Sequence, residues 1–248
     1  MSATGGVLRF RGGAIVVLAL ICAGGVLTAC APEAAPEKPQ TTASPKPSPS
    51  AEPEPAPTPT QEVWERFADP RTPGSFEIPP GWTVGESEES EPEHEIYRFE
   101  LRDGSGDVQL TYARKVMGLG GGCSGMSQTV TELEVEPFEL PGYVAHPGDY
   151  APDISPSFTF TVIEDAQRPG FYGTLAVRDG APATDCFYYN LVRTESALVS
   201  FADTLKVTAY DAPHYFETMD EARAYMATEE YATLKRVLLS LRLDGSAA

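Results

Sequence analysis

A proline-rich segment divides the chain and restricts folding to the residues that follow it. Ten of the thirty residues from 31 to 60 are proline, and the others are only Ala, Glu, Lys, Ser, Thr and one Gln. Without aromatic or branched aliphatic side chains, the segment cannot bury enough apolar surface to offset its chain entropy. We predict an extended linker of about 3.1 Å per residue, or roughly 90 Å in all. It would either cross an envelope layer or act as a neutral tether.

The residues before the linker have the three-part form of a secretory signal. Arg9 and Arg11 precede an apolar run from Ala14 to Cys22, and small residues follow. The uncharged stretch 12–29 contains four glycines. It also falls short of the roughly 20 apolar residues that a spanning helix needs. An uncleaved N-terminal membrane helix is the alternative interpretation.

The sequence Leu-Thr-Ala-Cys at residues 27–30 resembles the lipobox of bacterial lipoproteins. The resemblance implies that Cys30 carries a diacylglycerol and that residues 1–29 are removed. Each buried CH₂ of an acyl chain contributes about 0.8 kcal/mol, and stable anchoring takes more than one chain. We therefore predict an extracytoplasmic protein, attached to the cell membrane through a lipid at Cys30.

The remaining residues divide into the linker, 30–60 with the lipidated cysteine, and one globular domain, 61–248. The domain is long enough to bury a single core. Without residues 1–29 the chain has 16 basic and 36 acidic residues, a net charge of −20. Nucleic acid binding needs basic stripes, and anionic lipid also attracts basic surfaces. The charge therefore excludes both as partners of the domain, and it favours solubility.

Two cysteines remain for the folded domain, because Cys22 leaves with the signal and Cys30 takes the lipid. Cys123 and Cys186 are too far apart in sequence for a CxxC redox or zinc motif. An even pair in an oxidising compartment favours a disulfide. We therefore predict a Cys123–Cys186 bond that ties a glycine-rich loop to a strand.

Alternating apolar and polar residues predict a series of short strands. Turns are predicted at residues 103–107 and at Pro169-Gly170. Because sequential strands joined by short turns pair antiparallel, we expect an antiparallel sheet. The predicted strands cover residues 75–78, 82–84, 96–102, 108–116, 129–140, 157–164, 171–178, 186–194 and 196–207.

The C-terminal residues change to a helical period. Thr218 and Glu221 fit a capping box, and Thr228 marks a second helix start. Beyond it, apolar residues recur at intervals of three and four, which is typical of an amphipathic helix. The predicted fold class is α+β, an antiparallel β-sheet packed by a C-terminal amphipathic helix. The stripe consists of Tyr231, Leu234, Leu238 and Leu241.

Two segments resemble a known group of proteins. Residues 76–84, Phe-Glu-Ile-Pro-Pro-Gly-Trp-Thr-Val, and the closing run 231–243 are similar to secreted actinobacterial lipoproteins of the PsbP-like superfamily. The resemblance covers the two ends of the domain. It implies an antiparallel sheet flanked by helices and, as a rule, no enzymatic activity. Some members serve as accessory or binding proteins, and no functional residue is carried over.

Glycine- and acid-rich segments give no clear ligand motif. A dinucleotide loop at 118–122 would need a third glycine where Cys123 stands. Residues 103–107 have the spacing of the first ligands of a calcium loop, but Val108 and Arg114 occupy positions that require glycine and glutamate. The acidic run 86–95 is typical of a solvated loop.

Catalytic and metal-binding patterns are equally weak. His94, His146 and His214 are scattered beside turns, and the sequence contains no G-x-S-x-G elbow. We therefore predict neither a metal ion nor a cofactor. The larger aromatic residues favour a core or a sheet face over a sugar platform, and Tyr189 with Tyr172 is the one aromatic pair considered for binding.

These observations favour a non-enzymatic binding or interaction module of the cell envelope. Two alternatives stay open, a secreted hydrolase with a site assembled from scattered residues and a carrier of hydrophobic ligands. A cleft that holds a nucleophile, a base and a donor would indicate the hydrolase. A deep apolar groove would indicate the carrier.

Overall fold

A computed structural model describes residues 63–123, 128–183 and 186–245. The predicted signal (1–29), Cys30 and the linker up to residue 60 lie outside the described residues. The described part is α+β, with thirteen strands and two helices near the C-terminus. The elements are β1 (Glu65–Ala68), β2 (Ser75–Ile78), β3 (Thr83–Glu86), β4 (Tyr97–Arg102), β5 (Val108–Arg114), β6 (Gln128–Pro137), β7 (Ser157–Asp165), β8 (Arg168–Arg178), β9 (Tyr188–Tyr189), β10 (Val192–Arg193), β11 (Leu198–Ala202), β12 (Lys206–Val207), β13 (His214–Phe216), α1 (Met219–Tyr225) and α2 (Glu229–Leu239).

One large antiparallel sheet organises the described residues. Its strand order is β3-β4-β5-β11-β8-β7-β6, with β10 paired to β11 and β13 paired to β8. The strands β3 to β5 form one meander and β6 to β8 form another, and β11 joins them. The predicted antiparallel sheet is confirmed. Its neighbours are not all sequential, because β11 lies between β5 and β8.

The turn between β7 and β8 differs from the prediction. It lies at residues 166–167, where Asp165 pairs with Arg168, whereas Pro169-Gly170 lies within β8. Gly170 has φ +89, and a Cβ there would stand 2.9 Å from the carbonyl oxygen of Phe216. The glycine is therefore needed for the close approach of β13, and it does not mark the hairpin turn.

The predicted strands 186–194 and 196–207 are also interrupted. The described residues show the short strands β9 and β10 in the first segment, and β11 and β12 in the second. The break after β11 occurs at Asp203. Its carboxylate accepts a hydrogen bond from the amide of Leu175 at 2.7 Å, in place of a strand carbonyl. A side-chain acceptor thus ends the ladder and lets the chain leave the sheet.

The helices begin where the local signals predict. Thr218 Oγ1 accepts from the amide of Glu221 at 3.2 Å, and Thr228 Oγ1 accepts from the amide of Tyr231 at 3.2 Å. Such caps contribute about 1 kcal/mol each. In a capping box the Glu221 carboxylate would accept a hydrogen bond from the amide of Thr218. Here it accepts from the amide of Glu217, one residue earlier.

The main core lies where α2 and the β1–β2 hairpin pack against the sheet. Phe76 and Phe201 are fully buried, with ring centroids 4.7 Å apart. Tyr231, Leu234 and Leu238 of the predicted helix stripe are confirmed as buried residues of α2. Leu241 is buried in the same cluster but lies two residues beyond the end of the helix. Each such apolar side chain contributes about 1.5–3 kcal/mol on burial. Trp64 and Trp82 pack against the same core.

The opposite face of the sheet is covered by the segment 186–212. Ile163 follows the core residue Val162 and so points to this side, where it packs with Tyr172 and Val207. The predicted bond between Cys123 and Cys186 is present, with the two Cα atoms 5.2 Å apart. Cys186 lies two residues before β9, so the bond fixes the start of the covering segment.

Candidate functional site

An open groove on the surface is lined by three tyrosines. Its volume is about 450 Å³, and we call it the tyrosine groove. Tyr210 is 65% exposed and Tyr215 is 55% exposed, which is unusual for large aromatic side chains. Exposed aromatic surface of this kind marks interaction sites. The groove is defined by Arg168, Pro169, Tyr172, Tyr210, Pro213 and Tyr215.

Two strands and one turn place the three rings. Tyr172 in β8 and Tyr215 in β13 are cross-strand partners, so their rings lie side by side with centroids 5.4 Å apart. Tyr210 comes from the turn after β12. There Thr208 Oγ1 accepts from the amides of Tyr210 and Asp211 at 3.0 and 3.1 Å. Such side-chain-to-backbone bonds fix a turn locally, and the rings are therefore arranged before any ligand arrives.

Arg168 is held between two of the rings. Its guanidinium carbon lies 4.5 Å from the ring centre of Tyr172 and 4.6 Å from that of Tyr210. Attraction between the cation and the ring faces favours this stacking. Nη1 also donates a hydrogen bond to the carbonyl oxygen of Ala209. The arginine is thus oriented on three sides.

The charge of the groove differs from that of the whole chain. Its eight lining residues include one arginine and no acidic residue, whereas the chain has a net charge of −18. None of these residues carries a carboxylate, an imidazole, a thiol or an aliphatic hydroxyl. The groove can therefore offer ring faces and hydrogen-bond donors to a ligand, and its lining is suited to binding.

The aromatic pair considered from the sequence is not brought together. Tyr172 lines the groove, but Tyr189 is tied to the glycine-rich loop, donating to the carbonyl oxygen of Gly120 at 2.8 Å. Sequence reasoning missed Tyr210 and Tyr215. The signal that could have found them is the position of both tyrosines beside a turn that contains Pro213.

The three histidines lie in separate places. His94 is exposed and pairs with Glu91 at 3.1 Å, whereas His146 packs edge-on against Tyr150. Within residues 63–123, 128–183 and 186–245, no group of three or more His, Cys, Asp or Glu side chains could hold a metal ion. In the same residues, no helix is long and apolar enough to cross a membrane.

His214 has the surroundings most similar to a catalytic histidine. Its Nε2 lies 3.2 Å from Asp203 Oδ2, and its Nδ1 lies 4.0 Å from Glu230 Oε1. The Asp203 carboxylate also accepts a hydrogen bond from the amide of Leu175, at the point where β11 ends. Carboxylates thus flank both ring nitrogens, and no serine or cysteine of the described residues bonds to the imidazole. We interpret this pair as structural.

A second histidine and a serine share one cavity. His146 and Ser196 both line a cavity of about 300 Å³. Yet Ser196 Oγ is 3.4 Å from Thr194 Oγ1, and Nδ1 of His146 has no hydrogen-bond partner among the described residues. A nucleophile bonded to its base, as a hydrolase needs, is therefore not formed here.

The remaining motifs have structural surroundings. The predicted β4–β5 hairpin is confirmed, and at its tip Asp103 Oδ1 accepts from the Ser105 hydroxyl and from the amides of Ser105 and Asp107. These hydrogen bonds, led by that of the Ser105 hydroxyl, lower the pKa of Asp103. The carboxylate is thus used within the turn.

The acidic run 86–95 borders a large open cleft. This cleft measures about 640 Å³, and Glu91, Glu93 and Lys115 are part of its lining. Lys115 pairs with Glu95 at 3.0 Å. Several charged side chains are part of this lining, whereas a site for a hydrophobic ligand usually contains only a few polar groups.

Comparisons with protein-family models, with curated proteins and with solved structures gave no significant match. The similarity to PsbP-like lipoproteins stays a prediction from the sequence.

Proposed function

We propose that this protein is a lipid-anchored, non-enzymatic binding module of the cell envelope, and that the tyrosine groove is its contact surface. The observation that carries the proposal is the pair of exposed rings, Tyr210 and Tyr215. Tyr210 stacks with Arg168, and Tyr215 lies beside Tyr172. Because these exposed rings are already ordered, they lose little conformational entropy when a ligand covers them. The resemblance to PsbP-like lipoproteins supports a binding role.

The groove suits a saccharide chain. The face of a tyrosine ring is electron-rich, and the C–H groups on one face of a pyranose carry partial positive charge, so the two stack. The hydroxyl groups of the sugar can accept hydrogen bonds from Arg168 and from the hydroxyls of Tyr210 and Tyr215. The Tyr172 hydroxyl instead donates to the carbonyl oxygen of Pro169. An open groove also accommodates a polymer better than an enclosed pocket does. We therefore propose envelope polysaccharide as the ligand.

The binding proposal is tested with a double variant in which two tyrosines are replaced. Replacing Tyr210 and Tyr215 by alanine should weaken binding to purified cell-wall polysaccharide at least tenfold, or about 1.4 kcal/mol, because both stacking faces are removed. Affinity is measured by sedimentation with the insoluble polymer, using the full-length protein in detergent.

Met117→Ala is the matched control. Met117 is a large apolar residue that is 61% exposed and lies outside the groove, so its variant should bind as the wild type does. Equal losses in the control and in the double variant would contradict the groove as the contact surface. Wild-type protein that binds no envelope polysaccharide would contradict the proposed ligand class.

The anchoring proposal concerns Cys30. Wild-type protein should partition with membranes and take up a palmitate analogue in growing cells, whereas Cys30→Ala should do neither, because the thiol that receives the lipid is gone. Membrane fractionation and in-gel detection of the label measure both effects. Cys22→Ala changes the other N-terminal cysteine and should keep the label. Equal labelling of the Cys30 variant would refute lipidation at this residue.

A further inference from the structure

A second site is indicated by Arg114, which has no close partner among the described residues. After the hydrogen bond and the charge of Lys115, the charge of Arg114 also helps to lower the pKa of Glu95. Arg114 lies at the end of β5, and its side chain makes no hydrogen bond or ion pair with any residue that the structure describes. Its Nε is fully buried and unsatisfied. Buried polar groups in proteins are nearly always hydrogen-bonded. Nη1 and Nη2 are neither hydrogen-bonded within the described residues nor fully buried, so these two nitrogens can donate to an acceptor that a ligand brings.

Arg114 lines a cavity of about 140 Å³, together with Thr194, Glu195 and Ser196. The cavity of about 300 Å³ beside His146 and Tyr150 shares residues 195–197 with it. We call these two adjoining cavities the Arg114 cleft. It has no residue in common with the tyrosine groove.

The Arg114 cleft contains a second unpaired charge. Glu195 lines both cavities, and its carboxylate makes no hydrogen bond or ion pair with a described residue. In particular, Glu195 and Arg114 do not form an ion pair with each other. One cleft is thus lined by a cation and an anion that do not pair with each other.

The turn that carries Glu195 is fixed by its own hydrogen bonds. Thr194 Oγ1 donates to the carbonyl oxygen of Ala197 at 2.7 Å and accepts from its amide at 3.1 Å. The amide of Glu195 donates to the carbonyl oxygen of Val144 at 2.8 Å. On the other side, Arg114 is paired in register with Val199 of β11. Both charges therefore project from ordered backbone, which favours binding.

We propose that the Arg114 cleft binds a zwitterionic amino acid or dipeptide. The carboxylate of the ligand pairs with the Arg114 guanidinium, whose fork of N–H donors matches a carboxylate. The ammonium group pairs with Glu195. The Ser196 hydroxyl offers a further hydrogen bond, and the cavity beside Tyr150 has room for the side chain of the ligand.

The test uses the full-length protein in detergent and a panel of free amino acids and dipeptides, with alanine and alanyl-alanine in both chiral forms. Isothermal titration calorimetry measures the dissociation constant. At least one free zwitterion should bind, and its N-acetylated and C-amidated forms should each bind at least tenfold more weakly. Each modified form removes one charge, so the two forms test Glu195 and Arg114 separately.

Variants assign the two ends of the ligand. Arg114→Gln and Glu195→Gln should each weaken binding of the free zwitterion at least tenfold, whereas Glu195→Gln should leave binding of the N-acetylated form unchanged. The matched controls are Arg223→Gln and Glu93→Gln, which change exposed residues outside the cleft. Both variants should bind the zwitterion as the wild type does. The Tyr210→Ala, Tyr215→Ala variant should also bind normally, which separates this site from the tyrosine groove.

Two results would overturn the proposal. One is a panel in which no zwitterion binds at millimolar concentration, and the other is binding that both glutamine variants retain in full. Circular dichroism checks that each variant is folded. If Arg114→Gln does not fold, Glu195→Gln decides the outcome alone, because Glu195 is an exposed residue of a turn.

Discussion

Replacing Asp179 by alanine should lower the free energy of unfolding by about 3 kcal/mol, the lower end of the range for breaking a buried ion pair. Asp179 is fully buried and accepts from the amide and Nε of Arg193 at 2.7 and 3.0 Å. It also accepts from the Tyr143 hydroxyl at 3.0 Å. Burial, and then the charge of Asp179, raise the pKa of Tyr143, so this hydroxyl stays protonated and donates. Alanine would leave three donors without their acceptor.

The lower end of the range applies because the Arg193 side chain is 21% exposed and can regain some hydration. Urea unfolding followed by circular dichroism measures the change. Asp149→Ala removes an exposed carboxylate and is the control, with an expected change of less than about 0.5 kcal/mol. A loss of under about 1 kcal/mol for Asp179→Ala would show that this network contributes little to stability.

Removing the disulfide should have a similarly large effect. The chain-entropy account gives about 4 kcal/mol for a loop of this length, and the bonded cysteines are 63 residues apart. For a domain of this size, that corresponds to a melting temperature lower by about 10 °C. The variant Cys123→Ala, Cys186→Ala should therefore unfold earlier in a calorimetric scan than the wild type.

Chemical reduction supplies an independent comparison. A reducing agent should lower the melting temperature of the wild type to that of the double variant and should not affect the variant itself. Peptide mapping without reduction should show Cys123 linked to Cys186 in the purified protein. Free thiols at both positions, or a melting temperature within about 2 °C of the wild type in the double variant, would contradict this expectation.

Local signals in the sequence predict much of the fold. The alternation in residues 157–164 predicts β7, because successive side chains of a strand point to opposite faces of the sheet. Thr218 and Thr228 predict both helix starts, because a cap bond joins residues only three apart. Such features depend on short stretches of chain, and they survive in the folded domain.

Features that depend on distant contacts are not visible in the sequence. The interruption at Asp203 depends on Leu175, which lies 28 residues earlier. Gly170 looks like a turn residue, yet its actual role is to admit β13 beside β8. Neither of these contacts can be derived from the spacing of apolar residues or from the residue types of turns. The predicted turn at Pro169-Gly170 is therefore wrong.

The candidate site was predictable only in part. Tyr172 is one member of the aromatic pair that the sequence suggested, but its groove partners come from residues about forty positions further on. In the sequence, the one distinctive property of Arg114 is that it occupies the calcium-loop position that requires glutamate. Its lack of a close partner becomes visible when the turn 194–197 is placed beside β5. Ligand surfaces assembled from several elements need the tertiary structure.

The late position of β11 in the chain has a consequence for the order of folding. β11 lies between β5 and β8, but its residues are made after both meanders are complete. Until residues 198–202 emerge, the two meanders are separate half-sheets, and pairings between distant strands form slowly. The placement of one central strand thus delays closure of the sheet until the chain has been synthesised as far as residue 202.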